Sequence, residues 1–368
     1  MWTSLGRLRY AEHVTESKET RGRVATPSAG RMSRRGLMAL AAGLAATACA
    51  PVVRPMGPPI GDPVLAADAL VMADGARLPL HAWLPEGTPR GVMVALHGFN
   101  EYSRALVADA APLFTQAGLA LYAYDQRGFG AAPHRGLWPG AETLAADASA
   151  AARLIARRHP GLPLVMMGES MGGAVLILAD AGRDPPPVQG YVLLAPAVLS
   201  RASMPGVARH ALDLATRTVP AVATVSSAPP GFTPTNNASA WFRWSRDPMI
   251  IHATRVDAVA GLVDLMDAAV AAAPRFGLPR PGRDAVPSLI LYGSLDRIVP
   301  QDTTRAVLRS MPAGGLHRVG YYEGGRHMLL RDMQATEVVG DIVAWMAAPG
   351  AHLPSGADRA GAAWLAGR

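Results

Sequence analysis

The sequence predicts one doubly wound α/β domain with a mostly parallel sheet and a helical insertion between its sixth and seventh strands. Three observations predict it. Short apolar runs alternate with segments of helical period from Val64 to Trp345. Half of the 368 residues are hydrophobic, enough for a sizeable core. The run Leu164–Met167 leads through Gly168-Glu169-Ser170-Met171-Gly172-Gly173 straight into an Ala-rich helical pattern, which is a strand, a sharp turn and a helix in immediate succession.

The elements follow in order. Val64–Met72 and Arg77–Leu84 read as a hairpin joined by Ala73-Asp74-Gly75-Ala76. Gly91–Leu96 is the third strand, Arg104–Ala117 a helix, and Leu119–Asp125 the fourth strand. Ala141–His159 reads as a long helix with Ala, Leu and Ile on one face and Arg157-Arg158 near its C-terminus, where cations suit the helix dipole. The strand before the serine is fifth and Tyr191–Pro196 sixth. From Leu199 to Val286 the alternation lapses into a segment rich in Pro, Ala and Met, so residues 199–286 are read as an inserted cap. Ser288–Gly293 is the seventh strand, a helix runs to Arg309, and His317–Tyr322 is the eighth. The domain core is then 64–198 together with 287–348, and the Gly- and Ala-rich residues 349–368 read as a loose tail.

The turn at Ser170 carries the chemistry. A serine held at the tip of a strand-to-helix turn adopts a strained backbone, so positions two before and two after it must be nearly free of side chain. Gly168 and Gly172 meet that demand, and Gly173 lets the next helix approach the sheet. A serine hydroxyl becomes a nucleophile when a histidine takes its proton and a carboxylate orients that histidine. Asp296 follows the seventh strand and His327 lies in the loop after the eighth, so both fall at C-terminal strand ends, as does Ser170. Asp302 reads as the N-cap of its helix, His317 as a structural residue opening a strand, and Glu323 as a competitor only four residues from His327. Two backbone amides are needed for an oxyanion: Met171 after the serine, and Phe99 in His97-Gly98-Phe99-Asn100-Glu101 after the third strand. His97 itself reads as a loop-holding residue.

These residues resemble the α/β-hydrolase superfamily, most closely its monoacylglycerol lipase and lysophospholipase branch, often labelled serine aminopeptidase-like. The likeness rests on His97–Glu101, Asp125-Gln126-Arg127-Gly128-Phe129-Gly130, Gly168–Gly173 and the Asp296 and His327 loops, and spans roughly residues 64 to 348. It implies an α/β-hydrolase fold and hydrolysis of a small acyl ester of monoacylglycerol or lysophospholipid type through a covalent acyl-serine, with neither cofactor nor metal. It also implies structural roles for Asp125 and Arg127. The chain departs from the family in having Glu169 where His often precedes the serine, and Ala131-Ala132 where Ser commonly follows the Gly128–Gly130 turn. Glu169 reads as a solvated or Arg-paired carboxylate. A peptidase releasing N-terminal residues stays open, with Glu169 or Asp247 to hold the substrate amine, as does a non-catalytic receptor. A cap over the strand ends would supply an apolar acyl pocket, with Trp241 and Trp244 either lining it or anchoring it.

The formal charge is +7, but residues 1–48 alone carry +5, so the folded part offers no basic stripe for nucleic acid. That leader contains Ser33-Arg34-Arg35-Gly36 and an apolar run from Leu37 to Ala48, too short to span a bilayer, ending at Cys49, the sole cysteine. The pattern reads as an export signal and a lipid acceptor, with 49–63 as a tether to a membrane surface and Met32 as an alternative start to residues 1–31.

Overall fold

The computed structural model describes residues 50–225, 233–313 and 316–367. The leader, with Cys49, lies outside the described residues. Among the described residues the strands are β1 (Val64–Leu65), β2 (Ala69–Val71), β3 (Arg77–Trp83), β4 (Gly91–Leu96), β5 (Leu119–Tyr124), β6 (Leu164–Glu169), β7 (Gly190–Leu194), β8 (Ala223–Val225), β9 (Ala253–Arg255), β10 (Ser288–Gly293) and β11 (His317–Tyr322). The helices are α1 (Ser103–Val107), α2 (Ala111–Gln116), α3 (Ala141–Arg158), α4 (Met171–Ala181), α5 (Gly206–Thr218), α6 (Ala238–Trp244), α7 (Val256–Ala272), α8 (Gln301–Ser310), α9 (Ala335–Ala347) and α10 (Ala357–Leu365).

Nine strands form one sheet in the order β1-β2-β3-β5-β4-β6-β7-β10-β11, parallel from β5 to β11 and antiparallel at the β1–β3 edge. The chain therefore has the α/β-hydrolase fold. Strands β4, β5, β6, β7 and β10 are buried along their whole length, as a parallel sheet covered on both faces requires. Alternate residues serve opposite layers: Val92, Val94 and Leu96 face the core beneath α3, α4 and α7, while Met93 and Ala95 face α1, α2 and α9.

Several elements differ from the sequence expectation. The run Val64–Met72 folds back on itself, β1 pairing antiparallel with β2 around a turn closed by the Ala66 amide on Ala69 O (2.9 Å). The helix expected over Arg104–Ala117 is two, because Pro112 at the start of α2 offers no amide to a preceding turn. The cap is shorter than residues 199–286. Helix α7 is not part of it but packs on α3 and α4, its small residues permitting close contact. A Cβ at Gly261 would stand 2.4 Å from the Trp138 ring. Residues 51–63, expected as a free tether, lie along the domain. The Val52 amide donates to Asp257 (3.0 Å), Arg54 to Trp138 O (2.8 Å) and Met56 to Thr143 (3.1 Å).

The expected loose tail carries α10, docked on β11. Gly361 allows the approach, since a Cβ there would lie 2.0 Å from Val319 O. Trp364 stacks on Tyr321 with ring centroids 4.9 Å apart. Arg318 pairs with Asp358 at 2.9 Å. Replacing Trp364 with Ala should therefore cost about 3–5 kcal/mol, the usual price of emptying a buried tryptophan site. Urea denaturation checks this, and a loss below about 1 kcal/mol would return the segment to a loose tail.

Candidate active site

Ser170 sits between the end of β6 and the first residue of α4, with φ 52° and ψ −113°. That left-handed conformation is unfavourable for a residue with a Cβ and persists only where surroundings enforce it. The enforcement is visible. A Cβ at Gly168 would meet Gly172 at 2.5 Å, and one at Gly172 would meet Leu96 O at 2.3 Å. The Ser170 amide donates to Leu194 O (2.9 Å), and Ser170 O accepts from Ala197 (2.9 Å) and Ala174 (3.2 Å). Met171 opens α4, so its amide has no carbonyl partner within the helix.

The loop after β4 runs beside this turn. An ideal Cβ on Gly98 would lie 3.5 Å from the Ser170 Cβ, which places the Phe99 segment next to the serine. His97 is fully buried. Its Nε2 accepts the Gln126 amide (3.0 Å), so Nδ1 carries the proton and donates to Gly98 O (2.8 Å). Both ring nitrogens are thus committed to shaping the loop, and burial pushes the imidazole below its ordinary value. Asn100 adopts φ 65°, donates to Thr254 Oγ1 (2.6 Å) and accepts the Ile251 amide (2.9 Å). Asp125 accepts from Ser103 and from the Ala131 amide, and Arg127 bridges Asp74 (2.7 Å) and Asp147 (2.6 Å), so both residues brace turns.

At the far strand ends, His327 Nδ1 and Asp296 Oδ2 are 2.8 Å apart and both side chains are buried. Asp296 Oδ1 accepts the Ile298 (2.8 Å) and Val299 (3.4 Å) amides, which aims the other oxygen at the histidine. Burial raises Asp296, but His327 and those amides outweigh it and hold the carboxyl below its usual range. Burial likewise lowers His327, but Asp296, Glu169 and Glu101 outweigh it and leave the imidazole above its ordinary value. The competitors fall away. Glu323 is exposed, and His317 is bound to Ser288 Oγ (2.8 Å) and stacked on Phe276. Asp302 lies in the first turn of α8, one residue inside the helix rather than at its cap, paired with Arg305.

Glu169 is buried and Arg-paired. Arg331, four residues past His327, donates to it and also to Glu101 (2.9 and 3.2 Å) and Ala105 O (3.1 Å). Glu101 in turn accepts the Trp244 indole N–H at 2.6 Å, so this tryptophan anchors the cap, with Trp241 stacked on it at 5.3 Å. Burial, helped by the like charge of Glu101, pushes Glu169 up to about 7 against the pull of Arg331. No sequence signal marked Arg331; its only trace was the unusual Glu before the serine.

Residues 87–334 match the family described as serine aminopeptidase, S33. The chain belongs to that family. Among its relatives, a monoacylglycerol lipase of Mycolicibacterium smegmatis is 28% identical over 277 residues, covering 74% of this chain and 93% of the relative. A human monoglyceride lipase is 29% identical over 269 residues, covering 72% and 84%. The solved structure of a soluble variant of the Saccharomyces cerevisiae monoglyceride lipase superposes with TM-score 0.61 at 20% identity, over 79% of this chain and 98% of that one. A Paleococcus ferrophilus monoacylglycerol lipase gives 0.59 at 22%, over 73% and 98%. These structures share the fold of this S33-family chain.

Replacing Arg331 with Met would leave two buried carboxylates without their counter-ion, a change expected to cost about 3–5 kcal/mol at pH 8. Their folded pKa values would then exceed the unfolded ones, so the folded state would hold the extra protons and stability would fall as pH rises. The loss should accordingly be smaller at pH 5 than at pH 8 by urea denaturation. An equal loss at both would mean that the network is not electrostatic.

Proposed function

We propose that this protein is a serine ester hydrolase that cleaves monoacylglycerol- or lysophospholipid-type substrates through an acyl-serine. The observation that supports the reading is the buried Asp296–His327 pair, 2.8 Å apart, in loops after two strands of the parallel sheet whose β6 also ends at Ser170, a serine held at positive φ. Ser170 Oγ attacks the acyl carbon as His327 Nε2 takes its proton. Asp296 keeps the Nδ1 proton in place and offsets the charge the imidazole gains. The amides of Phe99 and Met171 receive the oxyanion, aided by the N-terminus of α4. His327 then returns the proton to the leaving alcohol, and water repeats the sequence to release the acid. The curated relatives named as monoacylglycerol and monoglyceride lipases support the substrate class.

The peptidase reading requires a carboxylate free to hold an amine. Glu169 is occupied by Arg331, and Asp247 by the Tyr102 hydroxyl (2.7 Å) and the Met249 amide (2.8 Å), so the ester reading is favoured. The receptor reading leaves the strained serine and the oriented histidine without a purpose. The reading also keeps the chain exported and lipid-anchored at Cys49, on the strength of its twin-arginine leader and sole cysteine.

A panel of p-nitrophenyl esters, monoacylglycerols, lysophospholipids and aminoacyl anilides tests the substrate class. Turnover should favour the glycerol-based acyl esters, with Ser170→Ala at least about 10⁴-fold slower. Faster cleavage of aminoacyl anilides would overturn it. The reaction needs neutral His327, whose pKa stands above the ordinary 6.5, so kcat/KM should fall on acidification with a midpoint above 6.5. Asp296→Asn should move that midpoint downward; an unmoved midpoint would remove Asp296 from its role.

A further inference from the structure

Three consecutive residues of the loop after β4 are each fastened to the cap. Asn100 Nδ2 donates to Thr254 Oγ1 of β9 (2.6 Å), and Asn100 O accepts the Ile251 amide (2.9 Å). Glu101 accepts the indole N–H of Trp244 in α6 (2.6 Å), and the Tyr102 hydroxyl donates to Asp247 (2.7 Å). Thr254 is buried, which shields its bond to Asn100 from competing solvent.

Asn100 needs that support. Gly98–Glu101 is a tight turn, closed by the Glu101 amide on Gly98 O (3.4 Å), and its third residue, Asn100, stands at φ 65°. Turns of this kind favour Gly or Asn there, and a residue with a Cβ keeps the conformation only where its neighbours enforce it. The second residue of the turn is Phe99. Its ring is fixed on the core side by Phe129 and Trp138, with centroids 5.6 and 6.3 Å away. Its amide makes no bond to a backbone carbonyl among the described residues. Gly98 runs beside the serine, an ideal Cβ there lying 3.5 Å from the Ser170 Cβ. If Asn100 relaxed to negative φ, the Phe99–Asn100 peptide would rotate and the Phe99 amide would shift with it.

We propose that Asn100 and Thr254 are positioning residues for the oxyanion hole: the cap, through the bond between them, holds the left-handed turn that aims the Phe99 amide at the acyl oxygen. The inference rests on the acyl-serine reading and gives the cap a part in the chemical step. An amide aimed at the developing oxyanion acts on the transition state and little on the bound ester, so its misplacement lowers kcat rather than raising KM.

The test compares Thr254→Val, Thr254→Ser and Asn100→Gly with wild type. Arg243→Gln is the control, because it breaks a different link between cap and domain, the exposed ion pair of Arg243 with Asp109. Valine matches threonine in shape but cannot accept the bond, serine can, and glycine takes positive φ freely but lacks the side-chain amide. Full loss of an oxyanion donor costs roughly 10²–10³ in kcat. Thr254→Val and Asn100→Gly should therefore each lower kcat on a short p-nitrophenyl ester about tenfold or more, with KM within about threefold of wild type. Affinity for an alkyl boronic acid, which forms a tetrahedral adduct on the serine, should fall by the same factor. Thr254→Ser and Arg243→Gln should keep the wild-type kcat. Wild-type kcat in Thr254→Val, a loss confined to KM, or an equal loss in Arg243→Gln or Thr254→Ser would overturn the proposal. So would a lowered kcat with unchanged boronate affinity. Ser170→Ala is measured beside them. If it retains turnover, the acyl-serine reading falls and the positioning role with it; an inactive Ser170→Ala beside a fully active Thr254→Val retires the positioning role alone.

Discussion

The turn at Ser170 works because several backbones converge where no side chain can fit. Gly172 in the first turn of α4 must pass against Leu96 O of β4, and the same turn must stand within van der Waals contact of Gly168. Each distance leaves room for hydrogen only, and the reward is a serine at φ 52° standing clear of the sheet edge. Holding such a residue costs of order 1–3 kcal/mol, which the buried β4–β6–β7 core and the bonds to Leu194 O and Ala197 N offset. The other candidate residues lie on neighbouring elements: the Phe99 loop follows the adjacent strand β4, and the Asp296 and His327 loops follow β10 and β11.

Arg331 connects these parts. One guanidinium touches the residue before the serine, the loop that carries Phe99 and, through Glu101, the indole of the cap. Its own backbone belongs to the His327 loop, where Thr235 Oγ1 donates to Arg331 O at 3.0 Å. Small relative movements of the Ser170 turn, the Phe99 loop, the His327 loop and the cap therefore all disturb the same buried charges. An arrangement of this kind gives little net stability over an apolar core, but it is costly to leave half satisfied, which favours one geometry over its neighbours. In this chain Glu169 occupies the position where the superfamily often has His, and Arg331 is the partner that makes a carboxylate tolerable there.

The legible parts of the sequence were local. A strand, a Gly-rich turn and a helix are written in consecutive residues, and Asp296 and His327 are each marked by the strand that ends just before them. Long-range pairings were not. Arg331 meets Glu101 across 230 positions, and nothing in a single chain distinguishes that arginine from a solvated one. Helix α7 falls within the expected cap because residues 199–286 break the strand–helix alternation and are rich in Pro, Ala and Met; its own residues are small so that it can lie close to α3 and α4. The tail composition suggested disorder, yet its glycine and alanines are what allow α10 to settle on β11 and seat Trp364. Residues 51–63 were read as a linker from their prolines and glycines, whereas their amides are spent on Asp257, Trp138 and Thr143.

On the proposed mechanism the elbow serine, and no other residue, becomes covalently acylated during turnover. Intact-protein and peptide mass spectrometry after brief treatment with a fluorophosphonate tests it most directly. One adduct per chain is expected, located on Ser170 and formed at a rate that rises with pH as His327 loses its proton. An adduct on another residue, or none at all while ester hydrolysis continues, would contradict it.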